Sequence, residues 1–328
     1  MTLKQQILQV LENNRGLAMS GQQLADTLNV TRASVWKSIK ALQDEGYKIV
    51  ATTNRGYVLE ETNDILSEQS LRACLGEEYR DVDIFTFKTS PSTNAEAMTR
   101  LMNGGLTHGT LIVADEQTKG RGRMGKSFFS PKSGIYMSVC LCKSIERMQD
   151  VMVITPAAAV AVRSAIAKLT GIDAKIKWVN DIYIDKKKVC GILTQADIDF
   201  ESGKAGTFIV GIGINFVEQD FPDEIKQRAC ALFTGQPTIT RSQLIGEIYR
   251  NLIKLTDDLT DRRFMLSYKQ HSLVMNREIS YTYNGEDKSG KVIDIDGDGG
   301  LVVQENGGGI RNLTCGEISI RSSANEWI

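Results

Sequence analysis

The chain has 328 residues, 41% hydrophobic and 24% charged, with a formal charge of −1. That length is more than one ordinary core carries and predicts two or three domains of a globular protein. Only two histidines (His108, His271) argue against a His-rich metal site or a Ser-His-Asp triad, and the near-zero charge confines any nucleic-acid contact to a local patch. The six cysteines (74, 140, 142, 190, 230, 315) fit no zinc or redox spacing and are expected as free buried thiols. No metal site is expected from side-chain clusters. The longest apolar run, VMVITPAAAVAV at 151–162, is too short for a membrane span and reads as a buried helix. The opening MTLKQQILQVLENN is amphipathic and lacks an apolar signal segment, so a cytoplasmic protein without a membrane partner is expected.

LKQQILQVLENN places Leu3, Ile7, Leu8 and Leu11 on one helical stripe. In SGQQLADTLN, Ser20 and Gln23 have capping-box spacing, and Thr31 can cap a third helix, TRASVWKSIKALQDEG. There Val35, Ile39 and Leu42 face inward, while Ala33, Lys37 and Lys40 face outward. KIVATTNRGYVL reads as two short strands around NRG. This order predicts a winged helix-turn-helix over residues 1–62, with Arg32, Ser34 and Lys37 toward a major groove and Arg55 at the wing tip. Seven Lys/Arg against six Asp/Glu leave that segment at only +1, so a protein-interaction module is the alternative. ETNDILSEQS then reads as a polar exit linker.

From residue 66 strand-like and helix-like segments alternate: VDIFTFKTS, NAEAMTRLMNG, TLIVADEQ, IYMSVCLC, a helix PAAAVAVRSAIAKLTG ended by Gly171, two strands joined at DKKK within KIKWVNDIYIDKKKVCGILTQAD, and GTFIVGIGINF. The expectation is a mixed α/β domain over 66–270. Within it, GRGRMG (120–125) matches G-x-G-x-x-G. A dinucleotide turn must open a helix, but here KSFFSPKSG follows, with Pro131 and Gly134, and then a strand. What remains is a flexible glycine loop carrying two guanidiniums, suited to holding a carboxylate against a phosphate.

Residues 271–328 alternate short strands and glycine turns and predict a small β-barrel. DIDGDGGLVVQE (294–305) satisfies the spacing of an EF-hand loop, but its flanks are strand-like where that site needs helices, so a glycine-rich hairpin is expected.

STN (92–94), DEQTKGRGRMGKSFFSP (115–131), KWVNDIY (177–183), KKVCGIL (187–193), GIGINF (211–216) and GEISIRS (316–322) resemble, in order and rough spacing, the motifs of the biotin–protein ligases. With the winged helix, the chain resembles the bifunctional type, ligase and biotin operon repressor. The resemblance implies an α+β chain whose last part is SH3-like. It implies that Ser92, Thr93, Asn94 and Gln117 bind biotin, that Arg121, Gly122 and Arg123 close over biotin and adenylate, and that Lys188 sits beside the carboxylate and α-phosphate. Catalysis falls to Lys188, Arg121, Arg123 and Asp181; the nucleotide side falls to Arg123, Phe128, Asn180, Asn215 and Arg321. Asp181 is read as ordering the metal–phosphate side or activating the incoming lysine, with a turn or salt-bridge residue as the alternative. Biotin and ATP are the implied substrates with Mg²⁺, the acceptor is a biotin carboxyl carrier protein, and the adenylate-loaded homodimer binds operator DNA. Phe128 stands where many relatives have Trp, and Val179 where many have Pro. A lipoate–protein ligase and a non-catalytic biotin-sensing regulator are the alternatives; the GRGR loop speaks against the first and the retained Arg121, Arg123 and Lys188 against the second.

Overall fold

The computed structural model describes residues 1–52, 55–145, 147–199 and 204–320. They divide into two compact units, Met1–Thr86 with Thr238–Glu247, and Phe87–Pro237 with Ile248–Ile328.

The first unit begins with α1 (Leu3–Asn13), α2 (Gly21–Leu28) and α3 (Arg32–Asp44). Each starts where the sequence supplies a cap. Thr2 and Ser20 make capping boxes with Gln5 and Gln23, and Thr31 Oγ1 accepts from Ser34 N at 3.2 Å. Ile7, Leu8 and Leu11 of α1 pack with Leu24, Val35, Ile39 and Leu42, and β1 (Ile49–Thr52) and β2 (Gly56–Leu59) close this core with Ile49 and Leu59. These side chains are at most 5% exposed, so truncating one of the leucines to Ala would cost about 2–5 kcal/mol. Gly56 has φ +104°, and a Cβ there would come within 2.6 Å of Ser20 Cα, so the wing can return past the helix-turn-helix only with glycine.

The segment expected to be an exit linker is instead anchored. Asn63 is buried and its Oδ1 accepts from Lys48 N at 3.0 Å, Ser67 caps α4 (Glu68–Leu75), and Asp64 accepts from Arg241 N and Nε at 2.7 and 2.8 Å. Polar composition suggested a loose connection, but Asn63, Asp64 and Ser67 each take a fixed hydrogen-bond partner.

β3 (Ile84–Phe87) leads into the second unit, which contains α5 (Thr93–Met102), β4 (Leu111–Ala114), β5 (Ile135–Ile145), α6 (Met148–Met152), α7 (Ile154–Thr170), β6 (Lys175–Lys177), β7 (Asp181–Ile184), β8 (Lys187–Asp199), β9 (Lys204–Ile214) and α8 (Asp223–Lys226). Its sheet runs β4-β5-β9-β8-β7-β6 and is antiparallel throughout. The expected pair of strands around DKKK is three strands, because the three-residue KIK adds an edge beyond β7. The β7–β8 hairpin turns at Asp185 in the left-handed conformation (φ 53°). α7 ends at Gly171 (φ 73°), as the sequence predicts, and packs on β8 with its alanine-rich face. The run Met148–Thr170 is long and apolar enough to cross a membrane, but 67% of its apolar window is buried within the fold.

α9 (Arg241–Asp257) and α10 (Phe264–Gln270) precede a five-stranded antiparallel sheet, β10 (Glu278–Tyr283), β11 (Glu286–Ile295), β12 (Leu301–Glu305), β13 (Ile310–Leu313) and β14 (Ile318–Ile320), in the order β13-β12-β11-β10-β14. Ile279, Val292, Leu301 and Val303 fill its inner face. All six cysteines are free, as expected, but only Cys140 and Cys190 are buried, and Cys315 is exposed.

Candidate active site

A cavity of about 430 Å³ lies in the second unit between the start of α5, the glycine loop, the β6–β8 region and the turn before β14. Its floor is glycine. A Cβ on Gly213 would come within 2.6 Å of the Phe128 ring, one on Gly191 within 3.2 Å of both Phe128 and Lys188 Nζ, and one on Gly211 would overlap Asn94. The strands can carry these side chains over the sheet only because these positions lack their own.

One end is a neutral polar network. Gln117 Oε1 accepts from Thr93 N at 2.9 Å and so caps α5, while its Nε2 donates to Ser130 Oγ at 3.0 Å. Ser92 has the backbone of an N-cap but makes no capping bond with its own side chain. Asn94 Nδ2 donates to Gln195 Oε1 at 2.8 Å and to the Leu193 carbonyl at 3.2 Å, and Ser138 Oγ lies 2.7 Å from both Asn94 Oδ1 and Thr93 Oγ1. Ser92, Thr93 and Asn94 are each at most 5% exposed. Polar groups held this way in a largely buried site are pre-arranged to pair with a polar ring rather than with water.

The other end is cationic. The glycine loop is not slack: Phe128 N donates to the Gly120 carbonyl at 3.0 Å and Gly122 N to the Lys126 carbonyl at 2.7 Å, forming a narrow hairpin. Its tip turns through Met124 (φ 53°) and Gly125 (φ 75°). Arg121 is exposed, while Arg123 is half-buried and donates from Nη1 to Asn180 Oδ1 at 3.3 Å. Asn180 Nδ2 in turn donates to the Ile192 carbonyl at 2.8 Å. Lys188 Nζ lies 2.7 Å from Asp181 Oδ1, an ion pair whose angle falls short of a good hydrogen bond. Burial pulls the Lys177 ammonium below the ordinary lysine value, against the pull of Asp181 and with the push of Lys188. Arg121, Arg123, Lys126, Lys177, Lys186, Lys188 and Arg228 thus line the cavity against the two carboxylates of Asp181 and Glu317, an excess of positive charge that favours an anionic ligand.

Residues 86–215 match the Biotin/lipoate A/B protein ligase family, 4–58 an HTH domain and 274–321 the Biotin protein ligase C terminal domain. The chain is 34% identical to the bifunctional ligase/repressor BirA of Bacillus subtilis over 97% of its own length and 99% of that protein's. The chain belongs to the family of bifunctional biotin ligase/repressors. It is also 26% identical to the Escherichia coli bifunctional ligase/repressor BirA, over 93% of each chain. Among solved structures, the biotin protein ligase from Aquifex aeolicus in complex with biotin and ATP superposes with a TM-score of 0.59 at 29% identity, covering 74% of this chain and 99% of that one.

Within this family member the sequence-derived set converges: Ser92, Thr93, Asn94, Gln117, Arg121, Gly122, Arg123, Phe128, Asn180, Asp181, Lys188 and Asn215 all line the one cavity. Asn215 is buried and donates from Nδ2 to the Cys230 carbonyl at 3.0 Å, which fixes the cavity wall. Phe128 lies on the glycine floor, edge-on to Tyr136 with centroids 6.5 Å apart. Arg321 falls outside the described residues. Sequence reasoning missed Ser138 and Gln195 behind Asn94, Lys177, and the ion pair of Lys126 with Glu317 at 2.7 Å.

In the first unit, Arg32, Lys37 and Arg55 are exposed, as required of groove-facing side chains. Ser34 is half-buried and its Oγ lies 2.9 Å from Thr31 Oγ1, so it serves the cap of α3. Trp36, 57% exposed on the same helix, was not singled out from the sequence.

Proposed function

We propose that this protein is an ATP-dependent biotin–protein ligase that also represses biotin genes. The carrying observation is the single cavity in which the Asn94–Gln117 network faces Arg121, Arg123 and Lys188. The neutral end receives the biotin ring. The cationic end receives its carboxylate and the triphosphate of ATP. In the first step a carboxylate oxygen attacks the α-phosphate, giving biotinyl-5′-adenylate and pyrophosphate. Arg121, Arg123 and Lys188 offset charge on the phosphoryl oxygens, and the protein contributes chiefly positioning and electrostatics. In the second step a lysine amine of the biotin carboxyl carrier protein attacks the mixed anhydride and AMP leaves. The 2.7 Å contact between Asp181 and Lys188 supports Asp181 as the residue that aims Lys188.

Among the described residues no three His, Cys, Asp or Glu side chains gather to hold a metal ion. Asp181, a carboxylate of the cavity lining, would be able to hold an Mg²⁺ carried in largely by the triphosphate, and the ion would supply neutralisation of phosphate charge. The parts 1–62, 66–270 and 271–328 are assigned to DNA reading, ligation and closure of the site. Repression rests on the exposed Arg32, Lys37 and Arg55, with the adenylate-loaded protein binding operator DNA as a dimer in the cytoplasm, where two linked contacts raise affinity without new ones. Biotin-dependent ATP–pyrophosphate exchange tests the ligase: exchange with biotin and none with lipoate is expected. Exchange with lipoate alone, or no exchange at all, overturns the reading.

A further inference from the structure

The acidic stretch at residues 294–305 lies outside the cavity lining. Its carboxylates are committed one by one. Asp294 pairs with Lys269, Asp298 stands 3.5 Å from Arg262, and Glu305 accepts from Arg311 Nε at 2.5 Å and from Tyr281 Oη at 2.7 Å. Asp296 turns inward on the backbone. Its Oδ1 accepts from Asp298 N at 3.0 Å and Gly300 N at 2.7 Å, and its Oδ2 accepts from Asn312 Nδ2 at 2.5 Å. The Asp296 and Gly300 backbones close the same turn, N to O, at 2.9 Å.

From this turn the Gly299 carbonyl accepts from Trp178 Nε1 at 2.8 Å. Gly299 has φ +86°, and a Cβ there would come within 3.2 Å of Pro156 Cγ, so both its conformation and its seat on α7 call for glycine. Trp178 is only 4% exposed and lines the cavity wall. The next carbonyl, Val179, accepts from the buried Tyr268 hydroxyl at 3.1 Å. Then come Asn180, which holds Arg123, and Asp181, which holds Lys188.

We propose that the Asp296–Gly300 turn is a positioning element for the catalytic loop: through the Gly299 carbonyl it fixes Trp178, and with it the Asn180 and Asp181 contacts that aim Arg123 and Lys188. The inference rests on the ligase reading for its kinetic readout. It assigns Trp178 and Asp296 to the nucleotide half of the reaction and leaves the biotin-ring end, held by Gln117 and Asn94, untouched.

The test uses the full chain in three variants. Trp178→Phe keeps the ring and deletes the N–H; Asp296→Ala opens the turn; Asp296→Asn keeps an oxygen for the two backbone donors. Trp178→Phe and Asp296→Ala should lower kcat/KM for ATP in pyrophosphate exchange about tenfold, since small misplacements near reacting groups are costly. KM for biotin and the melting temperature should stay at wild-type values, and Asp296→Asn should restore most of the activity. Biotin and ATP parameters falling together, losses that follow the melting temperature, or an Asn variant as impaired as Ala would overturn the proposal. Hydrogen–deuterium exchange separates the two readings. Asp296→Ala should loosen amide protection over 177–181 whether or not the wild type exchanges pyrophosphate, and unchanged protection there refutes the positioning role alone.

Discussion

Replacing Lys188 with Ala tests the chemistry most directly. The side chain of Lys188 is 32% exposed and that of its partner Asp181 21%, so this is a half-buried pair at 2.7 Å. A pair of that exposure contributes on the order of 1 kcal/mol or less to stability. Losing a preorganised charge at the oxygen where negative charge develops is worth more, about 2.7–4 kcal/mol, or 10²–10³ in rate. The variant should therefore stay folded and lose biotin-dependent pyrophosphate exchange by about 10²–10³-fold. Rapid-quench measurement of biotinyl-adenylate, with a thermal melt on the same sample, reads both quantities. Asp181→Asn is the companion: it keeps the lysine charge but loosens its aim, and its loss should be smaller, about tenfold. An exchange rate within about threefold of wild type in Lys188→Ala, with the fold intact, would show that the cation does not face the α-phosphate.

Arg123→Gly removes the guanidinium that ties the hairpin tip to Asn180, and free biotinyl-adenylate should escape and label bystander lysines; an unchanged release rate would count against loop closure. Gly211→Ala places a methyl against Asn94, so biotin affinity should fall at least tenfold (about 1.4 kcal/mol) by calorimetry, and wild-type affinity would mean that Asn94 is not on the biotin side. Lys37→Ala with Arg55→Ala should abolish operator binding in gel shifts while pyrophosphate exchange persists, because two phosphate-facing cations are lost. Equal DNA affinity with and without biotin and ATP would make the first unit a constitutive binder.

The winged helix was legible because its signals are local: Thr31 and Ser20 three residues before their partners, and Ile7, Leu11, Val35 and Ile39 at helical spacing. The cavity's inner surface was legible through motifs such as GRGR and KWVND, each a single turn or strand end. The layer behind it was not. Ser138 and Gln195 reach Asn94 from 44 and 101 residues away, and Gly299 reaches Trp178 across 121, so no window of sequence holds both partners. The edge strand Lys175–Lys177 was overlooked because three alternating residues carry too little pattern. Trp36 was not legible because an aromatic on an amphipathic helix ordinarily faces the core, whereas this one is exposed.

The backbone of Lys188 has an unusual commitment. Its N–H donates to the Arg228 carbonyl at 2.8 Å and its carbonyl accepts from Cys230 N at 3.0 Å, while Leu232 N donates to the Asn215 carbonyl at 2.8 Å. The strap after α8 is thereby laced to the start of the strand that carries the lysine and to Asn215. A single residue inserted between Arg228 and Cys230 would put the Cys230 and Leu232 bonds out of step and disturb the backbone at Lys188. In a lineage or a loop-grafting experiment, length variation should therefore be tolerated ahead of α8 and be lethal to ligation just behind it, although residues 228–232 lie far along the chain from the lysine they serve.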